Sequence, residues 1–226
     1  MKMSITKHRS FGRLLNACFM LLLPALASFS QAQPTVMAEG RDFATIMPPV
    51  ATEAAADLIE VVDVFWYGCP VCQEFEPMMT YWGSQIRGDL VMRRMPAVWN
   101  EIMKTHARLY FTAVQLELAD RAHPAAFRRI HEERQALNNV AQVRTFFADL
   151  GVAEADFERV WNSPEVLAAL ESAEQATTAA GISKLPALVV NGRYRVVRNE
   201  SVPELTTMII TTNELIRTLR EERRLD

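Results

Sequence analysis

Leu58-Ile59-Glu60-Val61-Val62-Asp63-Val64-Phe65-Trp66-Tyr67-Gly68-Cys69-Pro70-Val71-Cys72 is the stretch that decides the fold. Its first ten residues are rich in β-branched and aromatic types and read as a strand buried on both faces. Gly68 ends the strand. Beyond it Cys72, Phe75, Met79, Trp82 and Ile86 recur at steps of three, four, three and four, which is one face of a helix. Cys69 therefore falls at a helix N-terminus, and Cys72 opens the buried stripe one turn inside. Two thiols so placed have the geometry of a reversible dithiol/disulfide couple. The unpaired N–H groups and the positive dipole end at that terminus favour thiolate over thiol. A lowered pKa raises the thiolate fraction at neutral pH and makes the sulfur a better leaving group. Cys69 is the expected attacking cysteine, and the shielded Cys72 the resolving one.

Working outward, the chain of 226 residues opens with Lys2, Lys7, Arg9 and Arg13 and no acid, followed by an apolar run from Leu14 to Leu26 and then Ser30-Gln31-Ala32. That order is a signal peptide cut after Ala32. The apolar run is short for a membrane span, which needs about 20 residues. Cys18 lies inside the segment and leaves with it. The remaining stretch, 33–226, is long enough for one domain with a sizeable core. Its charge of about −7, from about 20 basic and 27 acidic residues, excludes the basic footprint of a nucleic-acid binder. Only Cys69 and Cys72 are left in it, and the loop they close is too small to staple a fold. Their purpose is chemical.

The rest reads as a helical block inside a sheet-forming frame. Val91 to Met95 is a short strand closed by Pro96. Ala107, Tyr110, Phe111, Val114 and Leu118 repeat at helical spacing, then Phe127, Ile130 and Leu137, then Val140, Val143, Phe147 and Leu150. Asp156 to Trp161 is a further short helix. Ser163-Pro164 starts a longer one, stopped at Gly181, whose Ala169, Ala173, Ala176 and Ala180 allow close packing. Asn191-Gly192 between two apolar runs predicts a hairpin. Ser201 and Glu204, at capping-box spacing, open a closing helix carrying Leu205, Met208, Ile209, Leu215 and Leu219.

The order Phe65-Trp66-Tyr67-Gly68-Cys69-Pro70-Val71-Cys72 with Phe75-Glu76, then Trp161-Asn162-Ser163, then Leu185-Pro186-Ala187 with Val190-Asn191-Gly192, resembles the DsbA-type periplasmic thiol:disulfide oxidoreductases. The resemblance implies an α/β, thioredoxin-like fold: a central mixed sheet flanked by helices, with an inserted all-helical subdomain. The frame would be 40–97 and 176–226, and the insert 98–175. It implies that Pro186 is the cis proline beside the cysteines, and that the backbone of Leu185 pairs with a bound peptide near Pro70 and Val71. It makes Asp63 the buried acid that moves a proton at the inner cysteine, with a pKa raised by burial. Glu76 gains a modest electrostatic role, and Pro77 falls where such helices kink. Partners by resemblance are reduced, partly unfolded exported proteins, and a DsbB-like membrane quinone reductase that re-oxidises the couple. The protein would work in the periplasm as a monomer without a cofactor.

Val71 departs from the family, which commonly has a thiolate-stabilising His there, so a weaker oxidant is expected. A reductase or isomerase would run the same couple the other way; about 25 residues before the first core strand leave no room for a dimerisation domain. A chaperone-like binder of unfolded peptides is the rival from another class. No metal site is expected, because His106, His123 and His131 lack recognisable ligand spacing and read as surface or helix-end residues. Gln73 after Cys72 excludes haem attachment. Phe65, Trp66 and Tyr67 are expected in the core, as are most methionines.

Overall fold

The computed structural model describes residues 37–225. The signal peptide expected over residues 1–32 lies outside them. Five strands make one mixed sheet: β1 (Ala44–Thr45), β2 (Ile59–Phe65), β3 (Leu90–Pro96), β4 (Ala187–Val190) and β5 (Tyr194–Val197), in the order β1-β5-β4-β2-β3. β2 is central, and all seven of its residues are buried, as its apolar composition requires. It runs parallel to β3 and antiparallel to β4, so that Asp63 stands in register with Arg94 on one side and Leu188 on the other.

Alternation along β2 divides the core in two. Ile59 and Val61 share a cluster with Phe75 and Met79 of α1 (Pro70–Gln85) and Met208, Leu215 and Leu219 of α7 (Leu205–Leu225). Val62 and Val64 meet Met103 and Ala107 of α2 (Glu101–Gln115) and Ala173 of α6 (Pro164–Ala179). The small side chains of α6 let it lie close against α2, as the alanine spacing predicts.

α2 extends beyond the sheet into a helical subdomain with α3 (Ala119–His131), α4 (Val140–Asp149) and α5 (Glu154–Trp161). Its core holds Leu109, Phe127, Phe146, Phe147, Phe157 and Trp161, joined by Phe65 and Tyr67 from the end of β2. Each such aromatic contributes roughly 1.5–3 kcal/mol on burial, so the subdomain is built around the residues that lead into Cys69. Asn100, Asn139 and Ser163 cap α2, α4 and α6 by accepting from the N–H of Met103, Gln142 and Val166 at 3.0, 3.0 and 3.3 Å.

Four details differ from the sequence reading. Leu137 belongs to no helix; α3 ends at His131, and Leu137 drops into the subdomain core from a loop at φ +50°. Leu118 lies past the end of α2 as the N-cap of α3, and Val114 is exposed. The Ser201 capping box does not form. Instead Asn199 Oδ1 accepts from the N–H of Ser201 and Val202, at 2.7 and 2.9 Å, and the helix begins at Leu205. A side chain two residues upstream wins because its carbonyl reaches two successive donors in an Asx turn.

The hairpin forms as expected, with Asn191 at φ +50° and Gly192 at φ +64°. Gly192 is also required by close approach. Its carbonyl accepts from Val50 N–H at 2.9 Å, and a Cβ there would collide with the Val50 carbonyl oxygen.

Candidate active site

Cys69 is the N-cap of α1, and its sulfur accepts from Cys72 N–H at 3.3 Å. Both sulfurs are free, so this is the dithiol form. The Cys72 thiol donates to the Cys69 sulfur, and the N–H groups of Cys72 and Val71 add to it; together they outweigh burial and bring the Cys69 thiol down to about 6. The same hydrogen bond, together with burial, drives the Cys72 thiol far up. One cysteine is ready as a thiolate and its neighbour holds its proton. Pro77 lies inside α1, and Leu185–Pro186 is cis, as anticipated. Val71 is half-buried against the α1/α7 cluster.

Asp63 lies below this pair, fully buried. Burial and the Glu76 charge push its carboxyl up to about 7, against the pull of Arg94. Glu76 is gripped by three partners: the Thr80 hydroxyl, which donates to it at 2.6 Å, Arg94 Nη2 at 2.7 Å and His123 Nε2 at 2.9 Å. Burial raises its pKa, but these partners outweigh burial and hold it below the ordinary value. Arg94 had no assigned role in the sequence, because only the parallel register of β2 and β3 places it beside Asp63.

Two of the three histidines, His106 and His123, correct the sequence reading most clearly, while His131 is the helix-end residue expected, closing α3. His106 and His123 are 2% and 3% exposed, and all three engage the two residues that precede Gly68 and Cys69. Trp66 Nε1–H donates to His106 Nδ1 at 2.9 Å, so the His106 proton sits on Nε2, which donates to the Ala136 carbonyl at 2.9 Å. His123 Nε2 faces the Glu76 carboxylate, so that nitrogen donates and Nδ1 accepts from the Tyr67 hydroxyl at 2.9 Å. His131 Nε2 donates to the Tyr67 carbonyl at 2.8 Å. Burial keeps His106 and His123 below the ordinary imidazole pKa. The helical subdomain thus holds the strand-to-helix turn by hydrogen bonds from two helices. A signal was present: His123 stands four residues before Phe127, and His106 four before Tyr110, on the buried faces. Phe65 and Tyr67 are core, as expected, whereas Trp66 borders a surface cleft beside Cys69 and Leu185. Gly68 is needed because any Cβ there would strike the Trp66 indole.

Residues 63–209 match the model of the DSBA-like thioredoxin domain. The chain belongs to this family. Similar proteins include the thiol:disulfide interchange protein DsbA of Burkholderia cepacia, 30% identical over 176 residues (78% of this chain and 83% of that protein). The DsbA of Bordetella parapertussis is 35% identical over 186 residues (82% of this chain and 85% of that protein). Among solved structures, Pseudomonas aeruginosa DsbA superposes with a TM-score of 0.77 at 29% identity, over 82% of this chain and 95% of that one. The oxidoreductase DsbA from Xylella fastidiosa gives 0.76 at 30% identity, over 82% and 98%. The thioredoxin core with its added helical subdomain is the DsbA architecture. This DsbA-family chain is a periplasmic thiol:disulfide oxidoreductase that introduces disulfides into exported proteins through a cysteine pair.

Proposed function

We propose that Cys69 and Cys72 are that pair and that they work as a dithiol oxidase. In the oxidised protein a substrate thiolate attacks the Cys69 sulfur. The Cys69–Cys72 bond breaks, a substrate–Cys69 disulfide forms, and Cys72 leaves as a thiolate. Asp63, about half protonated at pH 7 and increasingly so below it, supplies the proton to Cys72, with Glu76 and Arg94 setting its charge. A second substrate thiolate then attacks the substrate sulfur and expels Cys69 as a thiolate. The substrate has lost two electrons and the pair has gained them.

The observation that carries this direction is the Cys69 sulfur at the helix N-terminus, with its thiolate favoured at neutral pH. Stabilising the thiolate stabilises the reduced protein, and so strengthens it as an oxidant. Pro186 and Leu185 would hold the peptide beside Pro70 and Val71. Re-oxidation would fall to a DsbB-like membrane quinone reductase, with the chain acting as a monomer on reduced, partly unfolded exported proteins.

The test is the reduction potential of Cys69/Cys72 measured against glutathione. A midpoint well above the glutathione couple supports the oxidase; a midpoint near that of thioredoxin, about −270 mV, overturns it in favour of a reductase.

A further inference from the structure

The cleft beside Cys69 is bordered by Trp66, Cys69, Trp99, Lys184, Leu185 and Arg198. Two features of this border bear on what it would bind. First, it carries two cations and no carboxylate, although the protein as a whole has a formal net charge of −3. Second, among the described residues neither Lys184 nor Arg198 has an ion-pair partner. Arg198 Nε is spent on the Pro203 carbonyl at 2.8 Å, which leaves its charge uncompensated. Elsewhere Arg93, Arg94, Arg129, Arg144, Arg193 and Arg220 pair with carboxylates, while Arg108, Arg195 and Arg223, like Arg198, donate to backbone carbonyls. The nearest acids in sequence are turned to other uses or lie off the border: Glu101 faces Lys104 at 3.8 Å, and Glu200 and Glu204 do not border the cleft. Trp99, 47% exposed, adds an indole to the border, with Ile102, the second residue of α2, equally exposed nearby in sequence.

We propose that this cleft selects substrate cysteines flanked by an acidic residue, so that the preferred substrates are acidic, aromatic-tolerant peptide segments. The inference rests on the oxidase reading above and specifies its substrate class. Lys184 directly precedes Leu185, the residue whose backbone would pair with the bound peptide. An extended peptide advances about 3.3 Å per residue. A carboxylate one or two positions from the reacting cysteine therefore comes within reach of the cations while its sulfur meets Cys69. Like charge in the same place is repelled, which gives discrimination as well as attraction.

The experiment compares three peptides, identical except for Glu, Gln or Lys next to a single cysteine, in mixed-disulfide formation with the oxidised protein. Each rate is divided by the rate of the same peptide with a small neutral disulfide, because a flanking charge changes the peptide's own thiol pKa. An exposed ion pair shifts an equilibrium by up to about fivefold, so two cations give about a tenfold preference for Glu over Lys at low salt, shrinking as salt rises. The Lys184→Glu, Arg198→Glu double variant should invert the order. Normalised rates that are equal for the three peptides, or an order that survives the double variant, overturn the proposal. The oxidase reading fails separately, by the absence of oxidation of any peptide; the charge preference is then read in the reverse direction, from the rates at which the reduced protein attacks mixed disulfides of the same three peptides.

Discussion

Val71→His tests the account of the couple. Val71 sits in the first turn of α1, half-buried, with its N–H directed at the Cys69 sulfur. At a thiol pKa of about 6 the thiolate outnumbers the thiol about tenfold at pH 7, and the reduced protein is favoured by a factor of about 11 over one whose thiol never ionises. A cation about 4 Å from the sulfur is worth about 1 kcal/mol in water-like surroundings and about 4 kcal/mol at an effective dielectric of 20. Cys69 is half-exposed, so the lower figure governs, and the thiol falls by about 0.7 unit more. The factor of about 11 then becomes about 50. This gain of just under fivefold is about 0.9 kcal/mol, which for a two-electron couple raises the potential by about 20 mV. The thiolate in turn holds the new imidazole above its ordinary pKa of about 6.5, so it carries charge at pH 7. Packing lost with the valine affects both redox states and cancels in the potential. The assay equilibrates both proteins with glutathione mixtures at pH 7 and follows the thiolate by ultraviolet absorbance as pH is varied. A potential that stays put or falls refutes the reasoning, most sharply if the thiolate titration itself has moved down.

Asp63→Asn should stabilise the reduced protein while slowing it. A carboxyl held at about 7 costs the fold increasingly as pH rises from its ordinary value of about 3.9, reaching about 4 kcal/mol above pH 7. Urea titrations should therefore show the gain at pH 8 and none at pH 3.5, with mixed-disulfide formation slowed about a hundredfold or more; equal stability at pH 8 would contradict the burial argument. His123→Gln should flatten the loss of stability on acidification. Burial depresses the folded His123 pKa, so the unfolded chain takes up the proton first and stability drops as pH falls below about 6.5; an unaltered slope between pH 6.5 and 5 would show that His123 does not titrate this way. Gly192→Ala should cost about 2 kcal/mol or more, from the positive φ and the collision with the Val50 carbonyl, and a melting temperature within a degree of the parent would exclude that contact.

The parts legible in the sequence are those governed by local rules. The apolar run to Tyr67, the three-and-four stripe from Cys72 and the Asn191-Gly192 turn each carry their structure within a dozen residues. Ser163 and Gly181 delimit α6 for the same reason. What could not be read depends on which distant residues meet. Arg94 becomes part of the site only through its register with Asp63, and strand register is not written in either strand alone. His106, His123 and His131 read as surface or helix-end residues, true only of His131 at the end of α3, because an isolated imidazole signals nothing; their partners Trp66, Tyr67 and Glu76 lie 40 to 64 positions away. The Ser201 cap failed for a different reason: two side chains competed for one turn, and the spacing rule saw only one.

The pairing of β2 on both sides bears on when the protein becomes reactive. Asp63 finds Arg94 about 30 residues later, but its other neighbour, Leu188, comes only after about 125. A chain that emerges from a membrane N-terminus first presents Cys69 and Cys72 long before β4 exists to close the sheet around them. Closing so long a loop is slow and must await the last quarter of the sequence. Until then Asp63 lacks one of its two flanking strands and is an ordinary carboxyl, ionised at neutral pH with a pKa of about 3.9. The proton donor for Cys72 is thus withheld during emergence and conferred late, when β4 docks and completes the burial that raises Asp63.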